Sequence, residues 1–195
     1  MSTAVAVPPR VLADLVPRVR ARDAALVLAA AALTAVCAQI SFYLPGNPVP
    51  VTGQTFAVLL SGAALGADRG AAAMLLYVLV GTVGLPVFAD GKHGVDIVTG
   101  ASGGYLIGFL VAGWVVGKLA EARFDRTPVK ALPLFLVGSA IIYAIGIPWL
   151  AVSADQSLGW AISNGFVDFI PGDLVKAAAA AGLLPLAWKL AGPRD

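Results

Sequence analysis

The sequence predicts an all-α integral membrane protein, built as one domain of six transmembrane helices. Three observations predict this class. Of the 195 residues, 59% are hydrophobic and only 12% are charged, whereas soluble proteins carry about 25% charged residues. The mean hydropathy is high, at +0.88. The apolar residues also form segments of helical length, separated by short polar or proline-rich stretches.

The chain opens with a basic stretch, residues 1–23, which is predicted to be a cytoplasmic leader because positively charged segments face the inside of the cell. The first predicted span is Ala24–Tyr43, about 20 residues, which is long enough to cross a bilayer. A cleaved signal peptide is the alternative, since basic residues precede this segment and Ala35–Ala38 are small. The full spanning length favours a retained helix.

The second and third predicted spans, Gly53–Leu65 and Gly70–Leu85, are short. Since a helix rises 1.5 Å per residue, about 13 residues do not cross a hydrocarbon core of about 30 Å. We expect these segments to lie beside other helices. The remaining spans are predicted at Gly104–Leu119, Ala131–Leu150 and Asp173–Leu190. The membrane domain thus covers residues 24–190, and residues 191–195 form a cytoplasmic tail.

The basic residues predict that both termini lie in the cytoplasm, because positively charged loops face the inside of the cell. With the N-terminus inside, Lys92 is external and Lys176 lies within the membrane. The other 11 of the 13 basic residues then fall in inner segments. Three polar or proline-rich stretches are external and cluster above Asp173, namely residues 44–52, 86–102 and 151–170.

Composition argues against several classes of function. The formal charge of +2, with no basic stripe, does not favour nucleic-acid binding. A single cysteine, Cys37, and a single histidine, His93, argue against a metal site or a catalytic triad, so we expect no cofactor. No Walker sequence occurs, so the chain alone is not expected to hydrolyse ATP.

An acid and a base, Asp173 and Lys176, open the last apolar segment. Each charge inside a membrane helix costs about 3 kcal/mol on insertion scales, and a spacing of three residues places both side chains on one helical face. One interpretation is that they hold the polar ends of a small ligand. Alternatively, Asp173 caps the helix, and Lys176 extends to the lipid headgroups or pairs only with Asp173.

Four further side chains are candidates for ligand contacts. Gln54 heads the second span, where it either hydrogen-bonds a neighbouring helix or binds a ligand. Asp90 belongs to a charged loop tip that is typical of a solvated turn, although it can also accept hydrogen bonds from a ligand. Phe88 and Tyr105 flank this loop, where they form a flat wall for a ring or serve as interfacial aromatic residues.

Small residues in the first span predict a surface that packs against another helix. Ala25 and Ala29 are four residues apart, as are Ala31 and Ala35, and this spacing lets a second helix approach closely. Alanine is abundant throughout the chain, so the pattern alone is weak. We interpret it as a surface that contacts a partner protein.

Four segments resemble the BioY family of membrane proteins. They are PVPVTGQT at residues 48–55, GLPVFA at 84–89, TGASGGYLIGF at 99–109 and PGDLVK at 171–176. They occur in the family's order, which makes the resemblance specific. Two local departures are GASGG at residues 100–104, where GPTGG is usual, and a distinct loop at residues 89–98. BioY proteins are the biotin-binding substrate-capture components, or S components, of energy-coupling factor (ECF) transporters.

The resemblance implies a six-helix S-component fold in the plasma membrane of a prokaryote, with biotin near the outer face. It also implies a transmembrane coupling protein of the EcfT type, which the alanines of the first span would face, and a pair of ABC ATPases. The family's acid and lysine map onto Asp173 and Lys176. Lys176 would then bind the biotin carboxylate, and Asp173, Gln54 or Asp90 would accept hydrogen bonds from the ureido N–H groups.

Three other classes of function stay open at this point. The first is a self-sufficient secondary carrier driven by protons, with Asp173 as the proton site; uptake by vesicles that contain this chain alone, abolished by uncouplers, would indicate it. The second is an S component for another vitamin. The third is a membrane enzyme, for which the sequence offers only the Asp173–Lys176 pair.

Overall fold

The computed structural model describes residues 9–15 and 20–191, which are mainly helical. The predicted leader and tail are described only in part, since residues 1–8, 16–19 and 192–195 lie outside the described residues. The helices are α1 Arg20–Ala38, α2 Gln54–Leu65, α3 Ala67–Thr82, α4 Val95–Thr99, α5 Gly103–Glu121, α6 Pro128–Ser153, α7 Leu158–Gly165 and α8 Ile170–Ala191. Two short strands, β1 Ser41–Phe42 and β2 Val51–Thr52, pair in antiparallel fashion.

The first predicted span differs from α1 at its C-terminal end. α1 ends at Ala38, whereas the apolar run continues to Tyr43. The backbone N–H of Gly53 donates to the carbonyl oxygens of Cys37 and Ile40, at 3.1 and 3.0 Å. These bonds and the β1–β2 pairing turn the chain back toward α2, so the apolar composition alone placed the helix end too late.

The last predicted span begins earlier than expected. α8 starts at Ile170, and Pro171 occupies its first turn, where a missing N–H costs no helical hydrogen bond. Asp173 lies within this turn, so the alternative in which it caps the helix is wrong. The stretch before α8 contains α7, whose first turn is capped by the Ser157 hydroxyl oxygen, which accepts a hydrogen bond from the Trp160 N–H at 3.2 Å.

Four helical segments within the described residues are long and apolar enough to cross a membrane. They are Ala21–Ala38, Gly103–Glu121, Pro128–Ser153 and Leu158–Leu190. α2 has 12 residues and α3 has 16, which correspond to lengths of about 18 and 24 Å. All six predicted spans contain a helix, but the count of six crossings with both termini inside stays a prediction.

α5 lies at the centre of the bundle and contacts α2, α3 and α6. Glycines bring these backbones together. A Cβ atom added at Gly62 of α2 would lie 2.7 Å from the carbonyl oxygen of Gly113 in α5. One added at Gly117 would lie 2.3 Å from the backbone nitrogen of Ala67. The helices therefore touch at their backbones, as small residues allow in membrane proteins.

Polar groups tie the described part of the leader to one end of the bundle, which we call the leader end. Arg69, in the first turn of α3, pairs with Asp14 at 3.0 Å. Between α5 and α6, the fully buried Asp125 accepts a hydrogen bond from the indole of Trp188 in α8. Burial raises the pKa of the Asp125 carboxyl, and the bond from Trp188 opposes that shift.

Replacing Asp14 by Asn should lower the stability at pH 7 by about 1 kcal/mol. Burial alone would raise the pKa of Asp14, but hydrogen bonds from Arg69 and from the N–H groups of Val11 and Arg10 hold it below its ordinary value of 3.8. The ionised carboxylate therefore stabilises the fold at pH values above 3.8. This contribution is lost as the pH falls through the lower pKa of the folded state. Thermal unfolding of the wild type and the variant at a series of pH values checks this. A stability difference between the two proteins that stays constant into the acid range would contradict it.

Candidate ligand-binding site

A cavity with an open mouth lies at the end of the bundle opposite the leader end. Its lining combines aromatic and apolar side chains with a few polar groups, as is typical of small-molecule sites. The β1–β2 segment, the loop around α4 and residues of α2, α5, α6 and α8 form its walls. Its lining includes Gln54, Thr55, Phe88, Tyr105, Tyr143 and Lys176.

The ammonium group of Lys176 lies at this cavity. The side chain is 20% exposed, and Nζ lies 2.8 Å from Asp173 Oδ1 and 3.1 Å from Thr55 Oγ1. One helical turn separates Lys176 from Asp173, and the contact with Thr55 joins α8 to α2. The lysine thus points into the bundle, and this geometry does not fit the alternative in which it extends to the lipid headgroups.

Asp173 lies behind Lys176 and is not among the lining residues of this cavity. The residue is buried; its Oδ1 accepts hydrogen bonds from Lys176 and, at 3.3 Å, from the Thr55 hydroxyl. Its Oδ2 accepts a hydrogen bond from the Tyr143 hydroxyl. Donors of the protein therefore engage both carboxylate oxygens. A direct contact of Asp173 with a ligand stays a prediction, and the geometry favours an indirect role.

Gln54 is fixed at the cavity wall by its neighbours. Its Nε2 donates to the Tyr77 hydroxyl at 2.6 Å, and that hydroxyl donates to the Val87 carbonyl at 3.1 Å. The Thr52 hydroxyl donates to Gln54 Oε1 at 2.9 Å. Phe88 is buried and meets Tyr77 edge-on, with ring centroids 5.5 Å apart. The amide and the ring are therefore held in place before any ligand arrives.

Tyr105 belongs to a cluster of aromatic rings beside the cavity. Its hydroxyl donates to the Gly165 carbonyl of α7 at 2.9 Å. Its ring meets Tyr143 edge-on, with centroids 6.3 Å apart, and Tyr143 contacts Phe166 at 4.9 Å and Phe169 at 6.5 Å. Such surfaces suit the apolar part of a ring-containing ligand.

Asp90 is not among the described residues that line the cavity. Its backbone has a φ of 58°, and its carboxylate accepts a hydrogen bond from the Ser41 hydroxyl at 2.5 Å. Lys92 and Asp96 of the same loop do line the cavity, and the Lys92 ammonium donates to the Tyr43 hydroxyl at 2.6 Å. A contact between Asp90 and a ligand stays a prediction.

The alanines of α1 separate into two groups. Ala25 and Ala29 are exposed, whereas Ala31 is buried and Ala35 is half-buried. The latter two pack against the core of the bundle. Ala25 and Ala29 therefore present the accessible small-residue surface, and the role of all four alanines at a partner interface stays a prediction.

Sequence reasoning missed Tyr143 and Thr55. Tyr143 is the only tyrosine in the predicted span Ala131–Leu150, and a hydroxyl in an apolar segment is a signal that points to it. Thr55 directly follows Gln54. Tyr143 and Thr55 lie 30 and 118 positions from Asp173 in the sequence. A single sequence does not indicate that residues so far apart are in contact.

The fold and the cavity define a class: a helical membrane protein with a small-molecule site between its helices, whose lining includes the lysines Lys92 and Lys176. The sequence pattern described as the BioY family matches residues 10–193. The chain belongs to the BioY family, as its resemblance to that family predicts.

Curated relatives and one solved structure agree with this assignment. "Biotin transporter BioY" of Thermotoga maritima is 43% identical over 150 residues, which cover 77% of this chain and 86% of that protein. "Probable biotin transporter BioY" of Pyrococcus horikoshii is 38% identical over 161 residues, 83% of this chain and 93% of that protein. The crystal structure of the S-component for biotin from an ECF-type ABC transporter matches with a TM-score of 0.80 at 23% identity, over 87% of this chain and 92% of that chain. The chain therefore has the S-component fold, and it is a multi-pass membrane protein.

Proposed function

We propose that this protein is the membrane-embedded biotin-binding component of a vitamin uptake transporter, which captures biotin at the outer face of the plasma membrane. The observation that carries the proposal is the partly buried contact between Lys176 and Asp173 at the cavity. Relatives of this chain are named biotin transporters. The same relatives and the S-component fold make it a transport protein and not an enzyme.

The chemistry of biotin matches the groups at the cavity. Its carboxylate requires a cation, and Lys176 supplies one. Its ureido ring carries two N–H donors and a carbonyl, and Gln54 offers an amide at the wall. Its sulfur-containing ring is apolar and suits Phe88 or Tyr105. Hydrogen bonds to charged groups contribute about 1.5–3 kcal/mol each, so a few of them with ring burial support submicromolar binding. This binding needs no cofactor.

The proposal includes the topology and the partners. Six crossings with both termini in the cytoplasm are supported by the basic residues at the leader end, which include Arg69 and Arg126. The cavity then opens to the outside. A transmembrane coupling protein and ABC ATPases would drive the handover of biotin, since the chain has no Walker sequence and its fold is that of an S component of an ECF-type ABC transporter.

Calorimetric titration of the purified chain tests the proposed ligand. We expect one saturable site for biotin with a submicromolar dissociation constant, and no heat of binding with riboflavin or thiamine under the same conditions. These two vitamins serve as controls because neither carries a carboxylate for Lys176. Tighter binding of another vitamin than of biotin would refute the assignment.

Replacing Ala25 and Ala29 by Leu should leave biotin binding intact and weaken co-purification with the coupling protein. The larger side chains would separate α1 from a helix that approaches its exposed alanine surface. Ala178 and Ala179, exposed on α8, provide the matched control when both are replaced by Leu. Loss of biotin binding with the partners still attached would contradict the interface assignment.

A further inference from the structure

The contacts of Lys176 show which hydrogen-bond donors of its ammonium group bind the protein and which remain for a ligand. An ammonium has three N–H donors. Two of them reach Asp173 Oδ1 at 2.8 Å and Thr55 Oγ1 at 3.1 Å. No other acceptor within the described residues contacts the group, so the third donor remains for a ligand.

Tyr143 determines how Asp173 meets this ammonium. The Tyr143 hydroxyl donates to Asp173 Oδ2 in a buried contact that joins α6 to α8. Its ring is packed edge-on by the three aromatic neighbours described above, which fixes the position of the hydroxyl. Asp173 therefore presents Oδ1 alone to Lys176.

We propose that Tyr143 is a positioning residue, which acts through Asp173 to keep one N–H of Lys176 available for the carboxylate of the ligand. This rests on the proposed function, since that carboxylate belongs to biotin. Without the hydroxyl, Asp173 Oδ2 lacks a donor in a buried environment, which is unfavourable. The carboxylate then turns so that both oxygens engage the ammonium, and it competes with the ligand.

The alternative is that Tyr143 supports the site only by packing or by touching the ligand, because its ring also lines the cavity. The two roles differ in their dependence on the charge of the ligand. Packing affects any ligand that fills the cavity. Positioning of the ammonium affects only a ligand that carries a carboxylate. Biotin and its neutral amide, biotinamide, differ in this group alone.

The Tyr143→Phe variant, which keeps the ring, tests the proposal by calorimetry with both ligands. We expect the affinity for biotin to fall about tenfold and the affinity for biotinamide to stay within about twofold. In the background of Lys176→Met, the further change of Tyr143 to Phe should alter neither affinity, because the group that it positions is gone.

Equal losses for biotin and biotinamide, or an unchanged affinity for biotin, would overturn the positioning role. If the wild-type protein does not bind biotin, the proposed function fails instead. A ligand-free crystal structure of Tyr143→Phe then still decides the matter. The Asp173 carboxylate should engage Lys176 with both oxygens, and retention of the single-oxygen contact would overturn the proposal.

Discussion

Replacing Lys176 by Met is expected to lower the affinity for biotin at least about tenfold, while the protein remains folded and inserted. Lys176 is the lysine that α8 places at the cavity wall, with Nζ 2.8 Å from Asp173 and 3.1 Å from Thr55, whereas Lys92 reaches the lining from the loop before α4. A charge-assisted hydrogen bond contributes about 1.5–3 kcal/mol, and each 1.4 kcal/mol is a factor of ten in affinity. Methionine retains the length of the side chain without its charge.

The control for this variant is Lys189→Met on the same helix. Lys189 is exposed near the leader end of α8, so its replacement should leave the affinity unchanged. Removal of Lys176 also leaves the buried Asp173 without its cation, which lowers stability. The double variant with Asp173→Asn separates this effect from the loss of binding. An affinity for biotin equal to that of the wild type would rule out the carboxylate role of Lys176.

The second large effect is expected from Gly62→Leu in α2. A Cβ atom at this position would lie 2.7 Å from the carbonyl oxygen of Gly113 and 3.1 Å from its Cα atom. Both are backbone atoms of α5, so no side-chain rotation relieves the contact and the two helices must separate. Overpacking of a core costs about 1–3 kcal/mol, and more where the backbone has to move. We expect the thermal midpoint of unfolding to fall by roughly 10 °C.

Gly182→Leu in α8 is the matched control, since a Cβ atom there meets no atom within 4 Å. This variant introduces the same side chain into a helix of the same protein without a clash. Its thermal midpoint should equal that of the wild type. A Gly62→Leu protein that unfolds at the same temperature as Gly182→Leu would show that α2 and α5 are not held together by close backbone contact.

Much of the fold was predictable because polar or proline-rich stretches separate the apolar segments that form the helices of a membrane protein. The predicted span Gly53–Leu65 agrees with α2 to within one residue. The errors arose where local geometry overrides composition. The run from Ala24 to Tyr43 carries no charged residue, but hydrogen bonds from Gly53 and the strand pairing end α1 at Ala38. Such long-range backbone bonds leave no trace in a hydropathy pattern.

The candidate site was predictable in part, for a similar reason. The adjacency of Asp173 and Lys176 follows from helical spacing alone, and the structure places them 2.8 Å apart. Which of the two side chains lines the cavity does not follow from spacing. It depends on Tyr143, which lies on another helix and engages the second oxygen of Asp173. Sequence spacing therefore identified the pair but not its orientation toward the cavity.

The short third helix has a consequence for the surrounding lipid. α3 has 16 residues, about 24 Å, and Leu75 and Leu79 on it are exposed. If α3 crosses the membrane as proposed, this surface is shorter than a hydrocarbon layer of about 30 Å, and thinning of the bilayer beside α3 would then cost a fraction of a kcal/mol per Å of hydrophobic mismatch.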